Sequence, residues 1–423
     1  MPMADVRPLR ALHYDREKTG GLQNVVAPPY DVIYTDGRAG LLEQSPYNVV
    51  AIDLPIANDG SDPYEHAAAV LARWRADGII TRDDRPALWP LEQDYAGPDG
   101  RTRTRRGFLA RVRVDDYGAG RIRPHERTHP GPKDDRLRLT RATKTNLSPI
   151  FALYSDPGQR AWSALTAART NAPWAETVDP DGTVARLWRV VDQAAIDAVL
   201  TATADAELLI ADGHHRYETA RVYAEEVGGE GPHRYVLMCL VALEDPGLTV
   251  FPTHRLVRNL SAEQWRALER TVARIFDATP LRSVEQLPPG ENERVEIGYL
   301  DGRTKRPYRL TLRDVAAVDA AMPGRSESYR RLDTAVTEEL LLKGALGMSD
   351  AQIDHLDGLG YARDDRQAIE LVLAGEYEAA LFMAPTPVHR VQEVAQSGEN
   401  MPPKSTYFFP KVPTGLLFNP LAD

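Results

Sequence analysis

The stretch of residues 208–220 groups side chains that could bind a phosphate, in the order Leu-Leu-Ile-Ala-Asp-Gly-His-His-Arg-Tyr-Glu-Thr-Ala. Its first four residues are apolar and predict a short buried strand, which Asp212 and Gly213 end. Apolar positions three or four residues apart then predict a helix. A glycine between a strand and a helix lets the backbone approach a ligand closely. The free N–H groups at the start of the helix attract an anion, so the stretch predicts a nucleotide or phosphate site.

The side chains of this turn suit the same chemistry. His214, His215 and Arg216 offer donors for phosphate oxygens, and Asp212 offers a hard oxygen that could hold Mg²⁺. Each of these residues taken singly could equally cap a turn or lie in solvent, but four within five positions favour a ligand site. The sequence has no P-loop and no dinucleotide fingerprint, so the predicted site belongs to neither of those types.

Two other segments hold groups that a phosphoryl transfer requires. Such a reaction needs cations around the phosphate and a carboxylate that takes the proton of the attacking hydroxyl. Glu126 is the candidate base, in a polar segment (118–148) that predicts either a solvated loop or an active-site loop. The candidate substrate-binding side chains are His125, Lys404, Ser405, Thr406 and Lys411. Of these, Lys404 and Lys411 could also be ordinary surface charges.

Composition narrows the class of protein. Asp plus Glu is 61 and Lys plus Arg is 51, a net charge of −10 that argues against a nucleic-acid partner. The one cysteine, Cys239, lies in an apolar run and predicts a buried strand residue rather than a nucleophile. No apolar stretch approaches the roughly 20 residues that span a membrane, and residues 1–10 lack a signal-peptide core. We therefore expect a cytoplasmic protein without a membrane partner.

The alternation of strand and helix patterns predicts an α/β or mixed α+β fold. The 423 residues allow two or three domains. We expect an N-terminal α/β region at 1–115 and a phosphate-binding core at 116–255 with an insertion at about 151–206. The remaining 256–423 predict a C-terminal α/β domain whose tail returns to the active site.

Local patterns predict individual elements within these regions. Residues 208–212 and 235–243 predict strands on either side of a helix that ends near residue 227. Residues 48–54 predict another strand, and we expect Asp31 and Asp53 to cap local turns rather than reach the site. In the last region the patterns predict helices at 262–276, 332–346 and 387–395 and strands at 294–300, 308–312 and 379–384.

These motifs resemble a known family. Asp212-Gly213-His214-His215-Arg216 resembles the DGHHR motif of the free serine kinases, in the ParB/sulfiredoxin-like superfamily. Residues 124–126 (Pro-His-Glu) are similar to a motif of the archaeal serine kinase, and residues 374–406 resemble its tail, which closes over the serine. The whole chain also resembles a large bacterial family of unknown function that carries 27–31 (APPYD), 211–220 and 404–411 in this order.

The resemblance implies a ParB/sulfiredoxin-like nucleotide-binding core with an extra N-terminal region. It implies an Mg²⁺-dependent kinase that transfers a phosphoryl group from ATP or ADP to the hydroxyl of free L-serine or a similar acceptor. Glu126 would then be the base, and Asp212 the metal ligand or positioning acid. Phosphates would contact residues 213–216, and Thr406 would contact the serine. Phe408 stands where the archaeal pattern has a histidine, and the first 110 or so residues have no counterpart in the kinase.

Three alternative functions are compatible with these residues to different degrees. A nucleotide-binding switch, similar to the ParB proteins that sense CTP or ATP, would use the same turn without a small-molecule acceptor. A binding protein without catalysis is the plainest alternative. A sulfiredoxin-like reductase needs a cysteine at the phosphate-binding turn, where this chain has histidines, so we discount it.

Overall fold

The computed structural model describes residues 4–33, 35–57, 60–118, 121–126, 130–290 and 294–422, with side chains omitted at 35, 36 and 130–132. The chain forms two compact units. The first is Met1–Leu248 together with Pro410–Asp423, and the second is Thr249–Phe409. The fold is mixed α/β, as the sequence predicts. The three-region division expected from the sequence stays a prediction.

Most strands are short, and the longest of the described strands is β5, in the first unit. In chain order the strands are β1 (Val6–Arg7), β2 (Leu12–Tyr14), β3 (Ile80–Arg82), β4 (Trp89–Ala96), β5 (Thr102–Arg113), β6 (Ile122–Arg123), β7 (Thr145–Asn146), β8 (Ile150–Tyr154), β9 (Ala175–Val178), β10 (Val184–Leu187), β11 (Leu208–Asp212), β12 (Tyr235–Ala242), β13 (Thr249–Phe251), β14 (His254–Val257), β15 (Phe276–Pro280), β16 (Glu296–Asp301), β17 (Arg306–Leu312), β18 (Leu359–Ala362), β19 (Ala379–Phe382), β20 (Tyr407–Phe409) and β21 (Asn419–Pro420).

The helices range from single turns to about four turns. In chain order the α-helices are α1 (Arg16–Thr19), α2 (Thr35–Gln44), α3 (Val50–Asp53), α4 (Pro63–Ala76), α5 (Pro130–Thr143), α6 (Arg160–Ala168), α7 (Gln193–Thr203), α8 (His214–Val227), α9 (Ala262–Ile275), α10 (Val315–Ala321), α11 (Glu327–Arg330), α12 (Asp333–Val336), α13 (Asp350–Asp354), α14 (Asp365–Leu373) and α15 (Val388–Gln396). A π-helical segment, Thr337–Ala345, continues α12. Among the described residues, no helix is both long and apolar enough to cross a membrane.

A large mixed sheet organises the first unit. Within its described residues, nine strands pair in the order β6-β11-β8-β12-β5-β4-β10-β9, with β1 also on β5. Strand β12 lies between β8, to which it is parallel, and β5, to which it is antiparallel. All of β12 is buried, and Cys239 at its centre is 1% exposed, as predicted. Burial raises the pKa of the Cys239 thiol to about 12, so this cysteine is not a reactive nucleophile.

The main core lies on one face of this sheet. Alternate residues of β5, namely Phe108, Ala110 and Val112, join apolar residues of β8, β11 and β12 in a single cluster. Ala161 and Leu165 of α6 and residues of α7 belong to the same cluster. The alternation of a strand puts every second residue on the opposite face. Arg105 and Cys239 therefore do not belong to this core, although both are buried.

Two predicted elements in the first unit are wrong. Within residues 48–54 the chain forms the short helix α3 (Val50–Asp53) instead of a strand. The Asn48 side chain accepts a hydrogen bond from the Val50 N–H (3.1 Å) and donates to Asn24 O (2.9 Å) and Val26 O (3.1 Å). Asn48 thus holds the chain in a helical turn that the β-branched residues do not favour locally. The polar segment 118–148 is not a loop throughout, since Pro130–Thr143 form helix α5.

The second unit contains its own sheet. Within the described residues of this unit, six strands pair antiparallel in the order β15-β17-β16-β19-β14-β18, and β13 pairs with β20 separately. Leu256, Leu300 and Phe382 are buried in a cluster on this sheet with residues of α14. The elements predicted for this part of the chain are confirmed within a few residues, as α9, α12 with its π-helical extension, α15, β16, β17 and β19.

The C-terminal segment is an integral part of the first unit, and a single substitution tests this. Phe418 is fully buried, its N–H donates to Leu12 O (2.8 Å), and its ring meets that of Tyr14 edge-on at 5.6 Å. We expect Phe418→Ala to lower the free energy of unfolding by about 3–5 kcal/mol. Urea titration followed by tryptophan fluorescence measures this, because Trp74, Trp89, Trp162, Trp174 and Trp188 lie in the first unit.

The control for this experiment is Val227→Ala, at a position that is half exposed in the same unit. It should change the free energy of unfolding by no more than about 0.5 kcal/mol. If Phe418→Ala behaved like the control, the segment would not be packed into the first unit.

Candidate functional site

The predicted strand–glycine–helix turn is present in the first unit. Strand β11 ends at Asp212, and Gly213 leads into α8 with a positive φ of 95°. The positive φ favours glycine here, and a Cβ would also lie 2.9 Å from Arg216 Nε, so that this side chain would have to shift. The N-cap residue of α8 is Gly213, which has no side chain to cap the helix. The positive end of the helix dipole at this turn favours an anion.

Asp212 is the centre of a buried charge cluster. Its Oδ1 accepts a hydrogen bond from Lys411 Nζ (2.5 Å), and its Oδ2 accepts one from Arg216 Nη2 (2.6 Å). Burial acts to raise the pKa of Asp212, but the charges of Lys411 and Arg216 outweigh it and hold this pKa well below its ordinary value. We call these three residues the Asp212 trio. Two cations against one carboxylate leave the trio with a net positive charge that suits an anion.

Arg216 is held by partners from other segments of the same unit. Its Nη1 donates to Ser148 Oγ (2.7 Å) and to Pro149 O. Ser148 Oγ is in turn 2.9 Å from Thr414 Oγ1, in the C-terminal segment that carries Lys411. Most donors of Arg216 are therefore used within the protein. This residue fixes the turn and supplies positive charge, more than it offers free donors to a ligand.

A pair of buried histidines ties the Pro-His-Glu motif to this turn. The His125 N–H donates to His214 Nε2 (3.3 Å), His125 Nδ1 donates to Ile210 O (2.6 Å), and the two rings meet edge-on at 4.7 Å. Burial lowers the pKa of both imidazoles, that of His214 most strongly, so both are neutral near pH 7. His125 is completely buried, which argues against its predicted contact with a substrate. The pair positions the motif instead.

Glu126 therefore lies beside the turn, as the order of the motifs suggests. Its side chain is 34% exposed, and its Oε1 is 4.0 Å from His125 Nε2. A carboxylate beside this turn and partly open to solvent could take a proton from a bound hydroxyl. His215 lies at the same turn and is partly exposed. The base role of Glu126 and the phosphate contacts of His214 and His215 stay predictions.

The predicted tail residues fall in different units. Lys411 belongs to the first unit and reaches Asp212, whereas Lys404, Ser405 and Thr406 belong to the second. Lys404 is exposed with a φ of 55°, and Ser405 is buried, where its carbonyl accepts a hydrogen bond from Thr386 Oγ1 (3.3 Å). A substrate contact of these three second-unit residues stays a prediction.

The donor set does not fit an Mg²⁺ ion held by protein side chains alone. In the part of the chain that the structure describes, no group of three or more His, Cys, Asp or Glu side chains could hold a metal. Both carboxylate oxygens of Asp212, the predicted ligand, are already paired with cations. A second positive ion at this carboxylate would have to displace Lys411 or Arg216. The assignment of Asp212 as a metal ligand is therefore not supported by its surroundings.

Arg105 contributes to the charges around Asp212, which the sequence did not predict. Its side chain is 2% exposed, donates from Nη2 to Gln93 Oε1, and lies 4.4 Å over the ring of Phe151. Gln93 Nε2 donates to Lys411 O (2.9 Å), so this buried pair also holds the backbone that carries Lys411. Burial lowers the pKa of Arg105, and the negative charge of Asp212 acts in the other direction. Arginine is frequent along β5, so nothing in the sequence distinguishes this one.

Asp53 and Arg136 were also missed, and the predicted turn-capping role of Asp53 is wrong. Asp53 ends helix α3, and its buried carboxylate accepts a hydrogen bond from Arg136 Nη1 (3.1 Å). Burial raises the pKa of Asp53, and the charges of Arg136 and Arg216 act against this increase. Asp53 therefore lies in the electrostatic neighbourhood of the turn. The two partners are 83 positions apart, which no local pattern reveals.

The buried histidines predict a specific pH dependence of stability. An unfolded histidine titrates near pH 6.5, and the native pKa of His214 is lower, so the unfolded chain binds more protons between these values. The free energy of unfolding therefore falls as the pH drops below about 6.5, by up to about 1.4 kcal/mol per pH unit for each such histidine. His214→Gln, which keeps an acceptor for the His125 N–H, should reduce this slope in urea titrations between pH 7 and 5.

The matched control is His66→Gln, at an exposed position on α4. It should leave the slope as it is in the unmodified protein. Equal slopes for the unmodified protein and His214→Gln would mean that His214 is not buried in its neutral form.

The chain is similar to several solved structures, at low sequence identity. No curated protein matches it. Similar solved structures include a conserved hypothetical protein from Pyrococcus furiosus (14% identity, 72% of this chain and 93% of that one, TM-score 0.35). Others are free serine kinase in complex with AMP (13%, 71% and 86%, TM-score 0.36) and SbnI with C-terminal truncation from Staphylococcus aureus (12%, 71% and 82%, TM-score 0.35). These likenesses are too distant to assign an activity.

The sequence itself gives a firmer result. Residues 6–335 match the family described as "Protein of unknown function (DUF1015)". This match covers all of β1 to β17, including the turn at Gly213, and leaves the segment with Lys411 outside it. Since it spans most of the chain, the protein belongs to the DUF1015 family.

Proposed function

We propose that the protein is a small-molecule kinase. It binds a nucleoside phosphate, ATP or ADP, at the turn between β11 and α8 and transfers a phosphoryl group to the hydroxyl of a small acceptor, with L-serine as the favoured one. The observation that carries this proposal is the Asp212 trio at the start of α8. The resemblance of residues 124–126 and 212–216 to serine-kinase motifs supports it.

The physical reason is electrostatic. Phosphoryl transfer depends mainly on positioning and on stabilising the negative charge of the moving group. The side chains of Lys411, Asp212 and Arg216 are only 13%, 14% and 10% exposed, so their charges are poorly screened by water. Their net positive charge lies at the start of α8, where the helix dipole also favours an anion. Fixed charges and dipoles of this kind stabilise a transition state without reorganising during the reaction.

Glu126 completes the proposed reaction. The acceptor's hydroxyl oxygen attacks the terminal phosphorus of the nucleotide, and its proton moves to Glu126. The bond from that phosphorus to the bridging oxygen breaks, and the electron pair leaves with ADP, or with AMP when ADP is the donor. The buried pair His125–His214 keeps Glu126 beside the turn. Mg²⁺ would enter with the nucleotide's phosphates, and no step of this proposal depends on it.

The test of the proposed reaction is acceptor dependence. The purified protein with Mg²⁺ and ATP, ADP or CTP is incubated with and without L-serine, and O-phospho-L-serine is measured by mass spectrometry. We expect phosphoserine with ATP or ADP and none without L-serine. Hydrolysis of the nucleotide that L-serine does not change would favour a nucleotide-binding switch instead. A protein that binds no nucleotide would show that the turn does not bind phosphate.

Two substitutions separate catalysis from binding. Glu126→Gln should lower kcat by about 10²–10⁴-fold, because it removes the general base, while the nucleotide Kd stays within about threefold. Lys411→Met should raise the nucleotide Kd by about 10–100-fold, because it removes a charged donor and makes the remaining Asp212–Arg216 pair neutral. Calorimetric titration gives the Kd values and the mass-spectrometric assay gives kcat.

The control is Lys144→Met, at an exposed lysine of the first unit whose backbone N–H and carbonyl form hydrogen bonds with Thr140 and Leu421. Both parameters should stay unchanged in this variant. If Glu126→Gln kept full activity, the base would be another group. If Lys411→Met bound nucleotide normally, the Asp212 trio would not be the phosphate site.

A further inference from the structure

A polar cleft lies next to the Asp212 trio in the first unit. It is partly open to solvent and lies between α5, α8 and residues 145–148. Its polar lining includes Asp53, Arg136, Ser148, Arg216 and Thr219, and apolar side chains such as Leu139 and Val236 complete its wall. We call it the Asp53 cleft.

Asp53 shares its nearest cation, Arg136, with a second carboxylate at one end of this cleft. Arg136 donates to Asp53 Oδ1 (3.1 Å) and also pairs with Asp135 (2.6 Å), so one guanidinium serves two carboxylates. The other face of Arg136 is covered by the ring of Tyr30, 4.3 Å away. Tyr30 and Asp31 belong to the Ala-Pro-Pro-Tyr-Asp motif, which the proposed reaction leaves without a role. A buried carboxylate that shares its cation in this way favours an added donor or cation.

Thr219 presents a buried hydroxyl to the same cleft. The residue is 4% exposed, and its Oγ1 has no hydrogen-bond partner among the described residues. A threonine inside a helix ordinarily bonds to a carbonyl one turn earlier, which satisfies its hydroxyl. An unsatisfied buried hydroxyl costs about 1–3 kcal/mol, so the cleft favours an occupant that bonds to it.

Arg216 connects this cleft with the phosphate turn. It lines the cleft, and it pairs with Asp212 at the start of α8. A small molecule in the cleft would therefore lie beside the group that helps to hold the phosphoryl donor. Asp53 responds to both cations, since the charges of Arg136 and Arg216 both act on its pKa.

We propose that the Asp53 cleft binds the acceptor and selects hydroxy compounds that carry an ammonium group. The ammonium group pairs with Asp53, and an oxygen of the acceptor accepts a hydrogen bond from Thr219 Oγ1. This inference rests on the proposed function, whose acceptor it defines as an amino alcohol or a hydroxy amino acid. It gives Asp53 and Thr219 substrate-binding roles that neither motif predicts.

The experiment measures acceptor binding apart from nucleotide binding. L-serine and 3-hydroxypropionate, which lacks the amino group, are titrated calorimetrically into the full-length protein, with and without AMP as a non-reacting nucleotide. We expect L-serine to bind at least tenfold more tightly than 3-hydroxypropionate. Asp53→Asn should weaken L-serine binding at least tenfold and leave 3-hydroxypropionate unchanged, while the Kd of AMP stays within about twofold.

Thr219→Val is the second variant, because it removes the hydroxyl and keeps the shape even if Asp53→Asn fails to fold. It should weaken the binding of L-serine by about three- to tenfold. Thr201→Val is the matched control, since Thr201 is an exposed helical threonine whose hydroxyl donates to Asp197 O within α7. This control should bind L-serine like the unmodified protein.

Three results would overturn the proposal: equal binding of the two acceptors, unchanged L-serine binding in both variants, or weakened binding of AMP alone. The last result would make the cleft part of the nucleotide site. L-serine binding that depends on Asp53 without any nucleotide binding would support the cleft as a binding site and contradict the kinase proposal. The two proposals are therefore tested separately.

Discussion

The buried carboxylate of Asp212 is the constraint on which the proposed site depends. Lys411 and Arg216 neutralise it from two sides, and removing one partner of a buried ion pair typically costs about 3–5 kcal/mol. The pairing joins β11, α8 and the C-terminal segment at one point. Because Lys411 follows the second unit in the chain, this contact brings the chain back to the first sheet. Ser148, held between Arg216 and Thr414, makes a second connection of the same kind.

Other buried polar groups surround the Asp212 trio and form hydrogen bonds with its neighbours. Arg105 and Gln93 hold the backbone of Lys411 from the sheet side, and His125 and His214 hold the Pro-His-Glu motif as neutral donors and acceptors. Asp53 and Arg136 lie beyond Arg216. Buried networks of this type are stable only when their members are satisfied together, so they define geometry narrowly. That rigidity suits a site whose chemistry depends on charge placement rather than on a reactive side chain.

Local sequence patterns predicted correctly the elements whose structure depends on interactions between near neighbours in the chain. The apolar run before Asp212, the helical spacing after Gly213 and the apolar run around Cys239 predicted β11, α8 and β12. The pattern failed at 48–54, where β-branched residues suggest a strand but Asn48 makes three hydrogen bonds that hold a helical turn. The sequence pattern also failed at α5, whose residues have low hydrophobicity. Its Arg136 is buried by an ion pair with Asp53 and by the ring of Tyr30.

The sequence by itself determined the turn at Gly213, the types of its polar residues and the mixed α/β class, because these follow from spacing and residue chemistry, whereas the base role of Glu126 stays a prediction. Only the tertiary structure decided which charges meet. Lys411 lies 199 positions from Asp212, and Asp53 lies 83 positions from Arg136. Such pairs leave no periodic signal, since an acidic chain offers many carboxylates and arginines of equal local character. Burial and distance select among them, and both are properties of the folded chain alone.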